Sequence, residues 1–63
     1  MNRSEYAYYL LGRIASDEVK YRELVAANDP EYVIIGERLA HLRAELTRIR
    51  RIEARLAEHK SQN

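Results

Sequence analysis

The chain has no cysteine, tryptophan or phenylalanine, one proline, two glycines, and a net charge of only +1 from 11 basic and 10 acidic side chains in 63 residues. Each scarcity closes a route. At this length there is room for one domain, spanning residues 1–63. A core that small rarely supplies more than about 3–5 kcal/mol by itself. Without cysteine there are no disulfides and few ways to build a structural zinc site, so association is the reinforcement left to the chain. One proline and two glycines are too few to punctuate a turn-rich β fold. The longest unbroken apolar run, Tyr6 to Leu11, falls far short of the roughly 20 residues of a membrane span. The first residues, Met1 to Tyr6, put charges where an export signal needs its apolar stretch. The expectation is a cytoplasmic chain that neither crosses nor binds a membrane.

What is there is helical. Apolar residues make up 46% and charged residues 33%, a balance that suits a folded chain rather than a disordered one. The segment Asn28-Asp29-Pro30-Glu31 reads as a turn and a helix start. Asp29 or Asn28 can cap orphan backbone donors. Pro30 fits the first helical position, where its missing N–H is not needed, and Glu31 complements the helix dipole. A second helix is therefore expected over residues 30–60. Its apolar residues Tyr32, Ile35, Leu39, Leu42, Leu46, Ile49 and Leu56 step by three and four, with Glu53 at the one polar slot, which is a heptad seam. Gly36 lies beside that seam, where a small residue lets another helix approach closely.

Residues 3–27 are expected to form the first helix. Asn2 followed by Glu5 resembles a capping box, and Ala7, Leu10, Ile14, Tyr21 and Leu24 share one stripe, widened by Leu11 and Val25. Asp17 and Glu18 interrupt it. Two versions follow: one continuous helix, or two shorter ones breaking near Gly12 to Ala15. Continuity is favoured because the apolar residues stay in phase across the gap. A turn as short as residues 28–29 makes the two helices antiparallel. Paired positions then sum to about 57, so Asp17 is expected near Ala40 and His41, satisfied by His41 or Arg43. The end of the second helix extends past the first without cover.

The fold expected is thus an all-α antiparallel two-helix hairpin. One seam leaves Tyr6, Tyr9, Leu11 and Val25 on the first helix, and Val33, Ile34 and Ile52 on the second, with no partner in the hairpin. Each large aliphatic left in water forgoes about 1.5–3 kcal/mol. A second copy, completing a two-fold four-helix bundle, is the simplest cover. The oligomer interface is expected to draw on Leu10, Ile14, Tyr21, Leu24, Ile35, Leu39, Leu42, Leu46, Ile49, Ile52 and Leu56.

Two further features bear on function. Four of the five tyrosines fall within the first 21 residues, and tyrosine is enriched at protein interfaces. Tyr6, Tyr8 and Tyr9 are candidates for contact with a partner protein, against the plainer alternative that they line the dimer seam. Within residues 43–60 there are six basic and three acidic side chains. Arg48, Arg51 and Arg55 share one helix face that could follow a phosphate backbone, against the plainer role of complementing the helix dipole. The Glu37, His41, Glu45 series is expected to be a solvated flank rather than a metal site. No nucleophile set, phosphate loop or triad is present, and a hairpin lacks the pocket of roughly 300 Å³ that small-molecule chemistry uses. The expected function is non-enzymatic and cofactor-free: a small homo-oligomeric protein-interaction module of adaptor, inhibitor or assembly-factor type. The alternative is a nucleic-acid binder using the arginine face.

Overall fold

The computed structural model describes residues 1–61. It is an all-α hairpin of two antiparallel helices, α1 (Arg3–Ala26) and α2 (Tyr32–Ser61). No helix among the described residues is long and apolar enough to cross a membrane. The hairpin is a rod of 54 × 16 × 15 Å, two helices wide and one layer deep.

Local chemistry sets where each helix begins and ends. Asn2 is extended, and its side-chain oxygen accepts the Glu5 N–H at 2.8 Å. Its amide nitrogen donates to the Glu5 carboxylate at 3.2 Å. The pair is thus a capping box in which the return bond runs side chain to side chain. α1 then continues unbroken through Gly12 to Ser16, which settles the choice between one helix and two. It closes with Asn28 in the left-handed region at φ 55°. The Asp29 N–H reaches Leu24 O at 2.9 Å and the Asn28 N–H reaches Val25 O at 3.1 Å. These two bonds form a Schellman closure, with asparagine where glycine is usual. Asp29 then caps the next helix by accepting the Glu31 N–H at 3.0 Å. Tyr32, Val33 and Ile34 donate back three residues, to Asp29, Pro30 and Glu31, before the four-residue spacing begins at Ile35. This tight first turn is why α2 starts at Tyr32 rather than at Pro30, where the sequence pattern places it.

The core is one line of contact. Leu10 and Ile14 from α1 meet Ile35, Leu39, Leu46 and Ile49 from α2, with Tyr6, Ala7, Tyr21, Leu24 and Leu42 packed around them. The ring of Tyr21 lies over Gly36, where a Cβ would come within 3.2 Å of it. The small residue at 36 therefore admits an aromatic ring of the same chain. Tyr21 also meets Tyr32 edge to face, with ring centroids 6.0 Å apart.

Asp17 sits inside this line, only 4% exposed. Its partner is Arg38, not His41 or Arg43. Arg38 Nε donates to Oδ2 at 2.6 Å and Nη2 to Oδ1 at 2.8 Å. Arg38 lies about one turn nearer the hairpin loop than His41, on the flank that a buried position 17 faces. Arg43 instead donates to Glu18 at 3.1 Å. The fork from Arg38 holds the Asp17 carboxyl below its ordinary 3.8 against the opposing effect of burial, and the charges of Arg38, Arg13 and Lys20 add to it. The interruption in the α1 stripe is therefore a core position filled by a carboxylate.

Two outcomes follow from this packing. Gly12 is mid-helix, with nothing within 4 Å of where a Cβ would stand. Gly12→Ala should stabilise the hairpin by about 1 kcal/mol, read as a rise of about 4–8 °C in Tm by circular dichroism. Asp17 has a depressed folded pKa, so its contribution is complete above about pH 4 and is lost as pH falls through the folded value. Arg38→Leu strands the buried carboxylate and should cost about 2 kcal/mol at pH 7. Urea titrations should find the gap between Arg38→Leu and the parent closing as the pH is lowered to 3. A gap that stays constant with pH would show that the carboxylate is not the group left stranded.

Candidate functional site

The residues singled out by the sequence fall into three groups. Nine of the eleven expected interface residues, Leu10, Ile14, Tyr21, Leu24, Ile35, Leu39, Leu42, Leu46 and Ile49, lie between α1 and α2 of the same chain. The seam between the helices consumes them. Of the other two, Ile52 is half-buried and Leu56 is 43% exposed, because α2 has 30 residues against 24 in α1 and runs past its partner.

The tyrosines do not form one patch. Tyr6 packs against the core and stacks on Tyr9, with centroids 6.2 Å apart and ring planes 12° from parallel. They sit three residues apart, so one helical turn brings them together. Tyr8 points elsewhere and is 76% exposed. It lines a shallow groove of about 250 Å³ with Ser4, Ala7, Leu11 and Glu53.

The arginines do share a face. Arg48, Arg51 and Arg55 line an open groove of about 450 Å³ on α2, together with Ala44, Thr47 and Ile52. Their charges are not equivalent. Arg48 is held by Glu45 through two hydrogen bonds of 2.5 and 3.2 Å, which lowers the Glu45 pKa and raises that of Arg48. This pair spans i and i+3 on the helix surface, and the sequence reading, which assigned Glu45 to a flank with His41, overlooked it. Arg51 and Arg55 have no ion-pair partner among the described residues. No group of three metal-ligating side chains converges among the described residues.

A third groove, of about 300 Å³, runs between the helices and is lined by Glu18, Tyr21, Arg22, Gly36, Leu39 and Arg43. Sequence reasoning did not point to it. Its signal was Gly36, which leaves a dip beside the Tyr21 ring.

Comparison of the chain with protein-family models, with curated proteins and with solved structures finds no match.

The geometry separates a packing role from a contact role for the tyrosines. Tyr9→Ala removes the stack on Tyr6 and should cost about 1 kcal/mol. Tyr8→Ala removes only a groove wall of the single hairpin and should leave the stability of the dilute, unassociated chain within about 0.5 kcal/mol. Chemical denaturation of both variants checks this, and equal losses would contradict the separation seen in the structure.

Proposed function

We propose that this chain is a non-enzymatic contact module that self-associates into a helical bundle and engages a protein partner through the bundle's outer surface. One observation carries the reading: one hairpin has one seam, and large apolar side chains remain outside it on both helices. Tyr8, Leu11, Val19 and Val25 on α1, and Tyr32, Val33, Ile34 and Leu56 on α2, are all exposed. Ile34, at 63%, has no structural reason to be isoleucine in a free hairpin. Water-exposed apolar area of this extent marks surfaces that are covered in the working assembly. The stacked Tyr6–Tyr9 pair, rigid and amphipathic, is the element of that surface best suited to anchor a protein partner. The grooves are open and shallow, and their lining offers contact rather than chemistry.

Light scattering across a dilution series tests the self-association. The expected result is a mass near twice 7.4 kDa at tens of micromolar, with a Tm that falls on dilution. A species of 7.4 kDa that melts cooperatively and independently of concentration overturns the reading.

A second reading rests on Arg51 and Arg55, which have no acidic partner among the described residues and lie in the open groove on α2. If the module follows nucleic acid, retention on heparin should fall steeply with salt, and Arg51→Gln with Arg55→Gln should flatten that dependence by about two phosphate contacts. Indifference to heparin at low salt removes this alternative.

A further inference from the structure

The two broad sides of the hairpin differ. One side is closed by side chains that bridge or stack: the Asp17–Arg38 fork, the Tyr6–Tyr9 pair and the Glu45–Arg48 pair. The other side is grooved. Positions 4, 8, 11, 15, 18, 22 and 25 of α1 step by four and three, and so lie on one face. Read in order they are Ser4, Tyr8, Leu11, Ala15, Glu18, Arg22 and Val25. On α2 the matching face holds Val33, Gly36, Ala40, Arg43, Thr47, Arg50, Ala54 and Ala57. Small residues dominate its centre, and the grooves beside Tyr8 and beside Gly36 both open here. Glu18 and Arg43 neutralise one another at 3.1 Å.

The missing area has the size of one more copy. A compact monomer of 7.4 kDa exposes about 4,200 Å² by the scaling of surface with mass, and this hairpin exposes 5107 Å². The excess is close to the roughly 800 Å² that each partner contributes to a standard stable interface. A chain of this length folded compactly would have a radius of gyration of about 11 Å, against 15.5 Å here. That value is set by the 54 Å length of the rod, whose other two extents are only 16 and 15 Å.

We infer that a second copy of this chain stacks on the Tyr8, Leu11, Val25 and Val33 face, with the turns of the two hairpins at opposite ends of the bundle. The inference rests on the self-association proposed above, and adds the face and the orientation. Opposite ends are required because α2 outruns α1. Only then does the uncovered end of each α2, with Ala54 and Ala57, lie along the turn end of the other copy, where Val25 and Val33 are exposed. The same two-fold arrangement carries Glu53 in the groove of one copy toward the Arg22 and Arg43 region of its partner. Neither Arg22 nor Glu53 has an ion-pair partner among the described residues.

The chain lacks cysteine, so single-cysteine variants report contacts cleanly. Chains carrying Val33→Cys, mixed with chains of distinguishable mass carrying Ala57→Cys and mildly oxidised, should form mixed disulfide dimers. The yield should be at least fivefold above that of Val33→Cys with Val25→Cys, which reports turns at the same end. It should exceed by the same margin the yield of Ile34→Cys with Arg55→Cys, which reports the opposite face. Predominance of either control pair overturns the inference while leaving self-association intact. So does a dimer by light scattering in which no pair bridges. A monomer at every concentration removes the underlying reading as well. Leu11→Glu, outside the core, should keep the helix content and raise the dimer dissociation constant at least tenfold, whereas Ile34→Glu should leave it within twofold. The reverse pattern counts against the assigned face.

Discussion

A single seam between two helices of unequal length is the constraint from which the rest of this structure follows. Six buried aliphatic side chains, Leu10, Ile14, Ile35, Leu39, Leu46 and Ile49, make up the core. Each helix has two flanks beside its buried stripe, and a hairpin offers no second neighbour to cover them. Exposure of Val33, Ile34, Leu11 and Val25 is therefore a consequence of topology rather than of loose packing. The overhang of α2 has the same origin. Residues 53–60 are exposed because α1 runs out alongside them, even though Leu56 keeps the apolar spacing.

Within the seam, the Asp17–Arg38 pair has a role that a leucine at position 17 would not fill. Burying a carboxylate is costly, and a well-packed apolar side chain of similar volume is often as stable or more so. The pair contributes position. A run of aliphatic residues at three-four spacing can slide by a heptad with little penalty, whereas a buried carboxylate that must meet one guanidinium cannot. Together with Tyr21 over Gly36 and the closure at Asn28, it defines one axial alignment of α2 on α1. The grooves and faces on the outside of the hairpin inherit their positions from that alignment.

Much of this was readable from residue order. The heptad spacing of α2, the Asn2 cap, the turn at residues 28–29 and the overhang all follow from local rules that act over a few residues. Several features were not readable. The break at Asp17 and Glu18 looks like an interruption because polarity alone does not say whether a carboxylate is buried. Only the approach of Arg38 from the other helix makes burial tolerable. Asn28 looks like a cap for the following helix, and its left-handed backbone becomes visible only when the bonds from Asp29 to Leu24 and from Asn28 to Val25 are closed. That Tyr8 and Tyr9 point about 100° apart follows from helix geometry alone, but which of them stacks on Tyr6 and which stands exposed does not.

Periodicity, capping chemistry and the scarcity of glycine and proline determine from the sequence alone that the chain makes two antiparallel helices, because each depends on neighbours within a turn or two. Which cation meets Asp17, which ring covers Gly36, which apolar residues are consumed by the seam and which are left outside it were decided only in the tertiary structure. Those outcomes depend on the axial offset and rotation of one helix against the other, and a single helix carries no record of either.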